Sequence, residues 1–288
     1  MRPLRTRLQE ARRSHGLPWH VIERDYLLSW IIAGIEQVPA LSETLVFKGG
    51  TALRKCYFGN YRFSEDLDFT GLEGAPTGED MGFLIQEACV ATERLLDEYA
   101  PVEIVCERYT ERDPHPGDQE AFTIRARMPW QSRPQTRIMI EVTVDEKVLR
   151  PAVRRKLIHA YDESLDVDIR VYSLEEMLSE KLRAILQHAE MFERRGWSRS
   201  RARDYYDMWR VLDTYKDELD LVDFDSLLRD KCVIRHVEFE GHDDFFPGRM
   251  LSYVERTWEQ WLDPLVPHLP SFETVIEELR PRVAELLS

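Results

Sequence analysis

Two acids one residue apart, Asp66 and Asp68, lie a short way downstream of a glycine pair, Gly49-Gly50. In an extended segment, residues two apart face the same side, so both carboxylates project together while Leu67 packs behind them. Neighbouring carboxylates repel unless a cation relieves them, and their hard oxygens suit Mg2+. An isolated Asp-x-Asp is more often a solvated strand end. Here Phe63, Leu67 and Phe69 flank the pair and the glycines precede it, which favours a metal site. The glycines let the backbone turn sharply and approach a ligand. Amides at the start of the following helix, with the Thr51 hydroxyl as its cap, would donate to phosphate. The G-x-x-x-x-G-K-[ST] spacing of a Walker loop is absent. A phosphate-binding turn beside a metal-binding pair is what attack on a nucleoside triphosphate requires.

Four further residues could join this chemistry. Glu141 sits mid-strand on the face opposite Ile138, Ile140, Val142 and Val144. It either completes a three-carboxylate metal site or pairs with Arg125, Arg127 or Arg137. Lys181 falls within the apolar stripe of Met177, Leu178, Leu182 and Ile185. It either offsets triphosphate charge from an interlobe cleft or snorkels to the surface. Asp204 shares a helix side with Asp207 and Met208, and either orients Lys181 or a nucleotide group, or serves as an N-terminal helix acid. Ser64 lies two residues before Asp66, where phosphorylation would crowd the carboxylates with negative charge and silence them.

The elements that must position these residues follow from periodicity. Trp19 to Ile35 has a helical apolar period, and Thr44 to Phe47 reads as a strand. Thr51 to Phe58 is a short helix, Asp66 to Thr70 a strand, and Glu79 to Tyr99 a helix. Strands over Val102 to Tyr109, Ala121 to Met128 and Arg137 to Asp145 follow, with a Pro/Gly/Asp-rich turn at Glu111 to Gln119. Ser173 with Glu176 is a capping-box signal for a helix to about Phe192. Helices over Arg203 to Tyr215, Pro247 to Trp261 and Phe272 to Leu287 complete a helical back half. The pattern predicts an α+β, bilobed protein, with a mixed sheet in residues 1–160 and a mainly helical lobe in 161–288.

Bulk properties narrow the setting. The 288 residues are 43% hydrophobic and 32% charged, as in a folded globular chain. No apolar run reaches the length of a membrane span and no signal peptide is visible, so a cytoplasmic protein without membrane contact is expected. Cys56, Cys89, Cys106 and Cys232 lack metal-ligand spacing and read as free thiols. The net charge of -14 argues against a generally sticky nucleic-acid binder. Local basic runs at Arg150 to Lys156 and at Arg194 to Arg203 are either a basic track or solvated faces.

Lys48-Gly49-Gly50-Thr51-Ala52-Leu53-Arg54-Lys55, followed by Arg62-Phe63-Ser64-Glu65-Asp66-Leu67-Asp68-Phe69, resembles the AbiEii/AbiGii (MenT) nucleotidyltransferase-like toxins of the DNA polymerase β-like superfamily. Glu180-Lys181-Leu182-Arg183-Ala184 and Arg203-Asp204-Tyr205-Tyr206-Asp207 resemble that family's downstream motifs. The resemblance implies a polymerase β-like N-terminal lobe and a helical C-terminal lobe. It implies a nucleotide site of Gly49, Gly50, Thr51, Arg54, Lys55 and Ser64, and Mg2+ on Asp66 and Asp68. Lys181 would contact the triphosphate and Asp204 would complete the site. The implied activity is transfer of nucleotides from an NTP to the 3′ end of tRNA, by a toxin of a type IV toxin–antitoxin pair with a cognate antitoxin. The rival expectations are a kinase, transfer to a protein or small molecule, or an inactive binding module.

Overall fold

Strand pairing organises the first part of the chain. The computed structural model describes residues 2–109, 119–195 and 200–287. Within them β1 (Leu45–Lys48), β2 (Leu67–Gly71), β3 (Glu103–Arg108), β4 (Glu120–Arg127), β5 (Thr136–Thr143), β6 (Val153–Lys156) and β7 (Asp168–Val171) form one sheet. Its order is β3-β4-β5-β2-β1-β7-β6. The β2/β5 and β1/β7 pairs are parallel and the others antiparallel, so the sheet is mixed.

Alternation along these strands sets what is buried. Phe47, Phe69 and Val142 are register partners, as are Leu67, Ile140 and Phe122, and all six are buried. The Phe47 and Phe69 rings lie 5.1 Å apart, a pairing worth about 1 kcal/mol beyond simple burial. Helices α1 (Leu4–His15), α2 (Trp19–Glu36), α3 (Pro39–Ser42), α4 (Gly49–Ala52) and α5 (Gly78–Asp97) surround the sheet. α2 touches α1, α3, α5, β5 and β7.

That crowding changes the expected character of α2. Its apolar stripe predicts one buried face, yet Val21 to Ile35 is buried almost throughout, with the fully buried Asp25 inside it. A charge placed there must be paired. Arg54 and Lys55 supply the pairing, as described below.

The sheet extends past the expected domain boundary. Residue 160 falls between β6 and β7, which are hydrogen-bonded neighbours. Contacts divide the chain into units Met1–Tyr172 and Ser173–Ser288. β6 escaped the sequence reading because Val-Arg-Arg-Lys lacks apolar alternation, and as an edge strand it has no need of it. The glycine-turn helix also differs from expectation: it opens at Gly49 and continues from α4 as a π-helical turn, Leu53–Phe58.

The second unit holds α6 (Leu174–Arg195), α7 (Ala202–Thr214), α8 (Phe224–Ile234), a 3-10 turn at His242–Phe245, α9 (Gly248–Leu262) and α10 (Phe272–Leu286). α6 starts where the capping signal places it: the Ser173 hydroxyl accepts from the Glu176 N–H at 3.2 Å. α1 and α8 were not read from the sequence. Most of the expected Glu111 to Gln119 turn, and the middle of the Arg194 to Arg203 run, lie outside the described residues. Among the described residues no helix is long and apolar enough to cross a membrane.

Candidate nucleotide and metal site

Three side chains line up across the centre of the sheet. Lys48 on β1 is the register partner of Asp68 on β2, and Asp68 is the partner of Glu141 on β5. Directly opposed residues share a sheet face, and adjacent strands lie about 4.8 Å apart. The Asp68 carboxylate therefore stands between a strand presenting an ammonium and one presenting a second carboxylate. All three residues are half-exposed, whereas Leu67, Phe69, Ile140 and Val142 are buried. Asp66, just before β2, is also half-exposed, so the expected alternation holds through this segment. The parallel β2/β5 pairing meets the condition on which the expectation for Glu141 as a third carboxylate depended.

The donor set fits a hard divalent cation: carboxylate oxygens on neighbouring residues and strands. Among the described residues no three such groups are already gathered as a metal cluster. The fit is thus one of donor chemistry and strand register.

The glycines have a more specific task than providing a flexible turn. Gly49 has φ +79°, and a Cβ there would lie 2.5 Å from Asp68 Oδ2. A Cβ at Gly50 would lie 2.1 Å from an Arg62 guanidinium nitrogen. The pair lets the Asp68 carboxylate and the Arg62 guanidinium come down onto the backbone at the helix start. Arg62 is itself buried and donates to the Phe63 carbonyl at 3.3 Å. Lys48 and Arg62 both fall within the two sequence motifs around Gly49 and Asp66. For Lys48, the available signal was a cation at the end of an apolar strand.

Three of the residues expected at the nucleotide site make defined contacts within the protein. Thr51 lies inside the helix and does not cap it. Its hydroxyl is fully buried and donates to the Asp66 carbonyl at 2.5 Å, tying the helix to the acidic segment. Arg54 and Lys55 are turned into the interior. Arg54 Nε reaches Asp25 Oδ1 at 2.6 Å and Lys55 Nζ reaches Asp25 Oδ2 at 3.0 Å, with the Tyr161 hydroxyl donating to the same carboxylate at 3.0 Å. Burial works to raise the Asp25 carboxyl, but Lys55 and Arg54 outweigh it and hold it well below the carboxylate range. Burial pulls the Lys55 amine down to about 8 despite Asp25. These two cations serve a buried ion pair with Asp25. Ser64 is only 9% exposed as a whole residue.

In the second unit α6 and α7 bring Lys181 and Asp204 together. Lys181 Nζ lies 2.9 Å from Asp204 Oδ1 and 2.7 Å from Asp207 Oδ2, and Arg201 donates to Asp204 Oδ2 at 2.9 Å. Burial would raise the Asp204 carboxyl, yet Lys181 and Arg201 together hold it far below its ordinary value. Asp204 therefore orients Lys181 from the first turn of α7, and the fully buried Asp207 shares the work.

The first expected basic run is largely spent on local contacts. Lys156 pairs with Asp166 at 2.5 Å and Asp168 at 3.2 Å, Arg154 approaches Glu36 at 3.8 Å, and Arg155 stacks over the Tyr57 ring at 4.3 Å.

The fold and the sequence are similar to those of known proteins. A search of curated proteins gives no match. Two solved structures are similar in fold. MenT4, a nucleotidyltransferase toxin from Mycobacterium tuberculosis H37Rv, superposes with a TM-score of 0.61 at 20% identity, over 93% of this chain and 84% of that one. A structure described as a candidate nucleotidyltransferase from H. pylori gives 0.55 at 18% identity, over 94% and 96%. The family profile of the nucleotidyl transferase AbiEii toxins of type IV toxin–antitoxin systems matches residues 31–280, from within α2 to within α10. By that match the chain belongs to the AbiEii family of nucleotidyltransferase toxins.

Proposed function

We propose that the protein is a Mg2+-dependent nucleotidyltransferase toxin that transfers nucleotide from an NTP to the 3′ end of tRNA in the cytoplasm, blocks translation, and is held in check by a cognate antitoxin. The observation that carries this reading is the register of Asp68 with Glu141 beside the Gly49-Gly50 turn.

Asp66, Asp68 and Glu141 are the residues that would hold the metal. Bound there, the ion would lower the charge on the phosphates and favour in-line displacement at the α-phosphorus. The chain's own groups do the remainder. Amides of the Gly49-Gly50 turn donate to phosphate oxygens, and Lys48 and Arg62 add positive charge near them. Thr51 holds the acidic segment against the helix. The acceptor 3′-hydroxyl oxygen bonds to the α-phosphorus and gives up its proton to water as the bond from that phosphorus to the α–β bridging oxygen breaks, and pyrophosphate leaves. Lys181 is the proposed counter-charge for the triphosphate, with Asp204 and Asp207 orienting it. That assignment rests on the downstream motifs.

Incubating the protein with total RNA and each α-labelled NTP in turn tests the reading. Labelled RNA is expected with Mg2+ and not with a chelator in excess. Label transferred only from the γ-phosphate would make the enzyme a kinase. Asp66→Ala and Asp68→Ala should each lower transfer by roughly 100-fold or more while the far-ultraviolet dichroism stays unchanged. Full transfer by both variants would remove the metal assignment.

A further inference from the structure

On a chain of net charge -14, residues 2–16 carry five arginines against one glutamate. The fold sorts these arginines. Arg7 turns inward to the buried Glu163, and Arg2 pairs with Glu10. Arg5, Arg12 and Arg13 remain exposed, with Arg5 and Arg12 two turns apart on one face of α1. Among the described residues, neither Arg12 nor Arg13 has an ion pair or a side-chain hydrogen bond. Exposed guanidinium groups grouped on one helix raise the local positive potential of a chain whose net charge is negative.

Aromatic groups border the same face. Trp19 and Trp130 are half-exposed, and their rings pack 5.6 Å apart. Trp130 Nε1 donates to Glu23 at 2.7 Å, and Arg5 and the exposed His20 both act electrostatically on that glutamate. Arg5 and the two indoles thus gather around Glu23, which is itself only 5% exposed. The C-terminal end of α1 packs against the segment that leads to the candidate site: the His15 ring lies edge-on to Phe63 at 5.3 Å, three residues before Asp66. Arg24 of α2 pairs with Glu65 in the same segment.

We infer that the exposed face of α1 (Arg5, Arg12 and Arg13), with Trp19 and Trp130, binds the phosphate backbone and unstacked bases of single-stranded RNA and leads its 3′ end toward Asp66 and Asp68. Guanidinium groups meet successive phosphates while an indole offers a stacking surface to any base, the combination that grips single strands without reading sequence. The placement extends the proposed function, on which the word acceptor rests, and replaces the basic run at Arg150 to Lys156 as the track. A helix as long as α1 spans about 18 Å, enough for several phosphates.

The test is binding of a fluorescein-labelled single-stranded RNA to the full chain by anisotropy across a salt series. The variants are the combined R5Q/R12Q/R13Q and, separately, Trp19→Ala. The triple variant should bind about 10- to 100-fold more weakly at low salt. Its plot of log affinity against log salt should be shallower by about 2, as loss of three phosphate contacts requires. Trp19→Ala should weaken binding about tenfold with the salt slope unchanged. In the α-label assay the triple variant should raise the KM for RNA and leave that for NTP alone. Unchanged affinity and slope in the triple variant would overturn the inference. Poly-glutamate held as tightly as RNA at matched salt would overturn it too, making the face a docking surface for acidic protein. Failure of the proposed function reads differently: the wild-type chain would put no α-label on RNA, whatever the binding series shows.

Discussion

The residue with the narrowest tolerance near the site is Gly49. Its left-handed φ of +79° would strain any side chain, and the space a Cβ needs is filled by Asp68 Oδ2. Gly49→Ala should therefore cost about 1–3 kcal/mol, read from urea unfolding, and should lower nucleotide transfer because Asp68 must move. Gly50 differs, since its obstacle is the end of the Arg62 side chain and its φ is ordinary. The sequence marks both glycines as places where something approaches the backbone. It does not say that the approaching groups belong to the protein itself. Asp68 and Arg62 lie more than ten residues away along the chain, and only strand pairing brings them over the turn.

The fate of α2 is decided by its neighbours at the scale of elements. Asp25 within it stabilises two cations from the π-helical turn Leu53–Phe58, so Asp25→Ala would leave Arg54 and Lys55 buried without their counter-charge. Removing one partner of a buried pair typically costs about 3–5 kcal/mol, and equilibrium urea titration should show a loss of that size. The last residue of α2 acts in the opposite sense. Burial pushes the Glu36 carboxyl up to about 7, against the pull of Arg154 and Arg170. A raised folded value means that the native state holds the proton more tightly than the unfolded chain. Glu36's contribution is thus fully present below about 4.5 and is lost as pH rises through 7. Glu36→Gln should stabilise the protein by roughly 1–3 kcal/mol at pH 8 and by little at pH 4. Urea melts at the two values check the sign.

For the whole molecule, the depressed carboxyls set the acid limit. Asp25, Glu163 and Asp204 all lie below their ordinary values, Glu163 at about 2. Burial opposes each shift. Lys55 and Arg54 overcome it at Asp25, hydrogen bonds from His159, Arg7 and Tyr26 at Glu163, and Lys181 with Arg201 at Asp204. The stability these groups contribute is present above about 4, the unfolded carboxyl range, and drains away as pH falls toward 2. Unfolding midpoints should drop steeply across that window in both units. A midpoint independent of pH between 5 and 2 would show that these pairs contribute nothing net. The two units differ in how they hold their charges: Met1–Tyr172 uses an aspartate gripped by two cations, Ser173–Ser288 a lysine gripped by two aspartates.

The sequence by itself determined the elements whose period is strong and whose ends are marked, such as β2, β5 and α6, because local alternation and capping need no knowledge of distant residues. It also determined the family, through the two motifs around Gly49 and Asp66, which the match over residues 31–280 bears out. Only the tertiary structure decided that Glu141 stands beside Asp68, that Arg54 and Lys55 face Asp25, and that β6 and β7 extend the first unit. Each of those facts depends on which strands pair and in what register. A single chain carries no local record of register, because a strand's alternation is satisfied equally well by any neighbour that covers its apolar side.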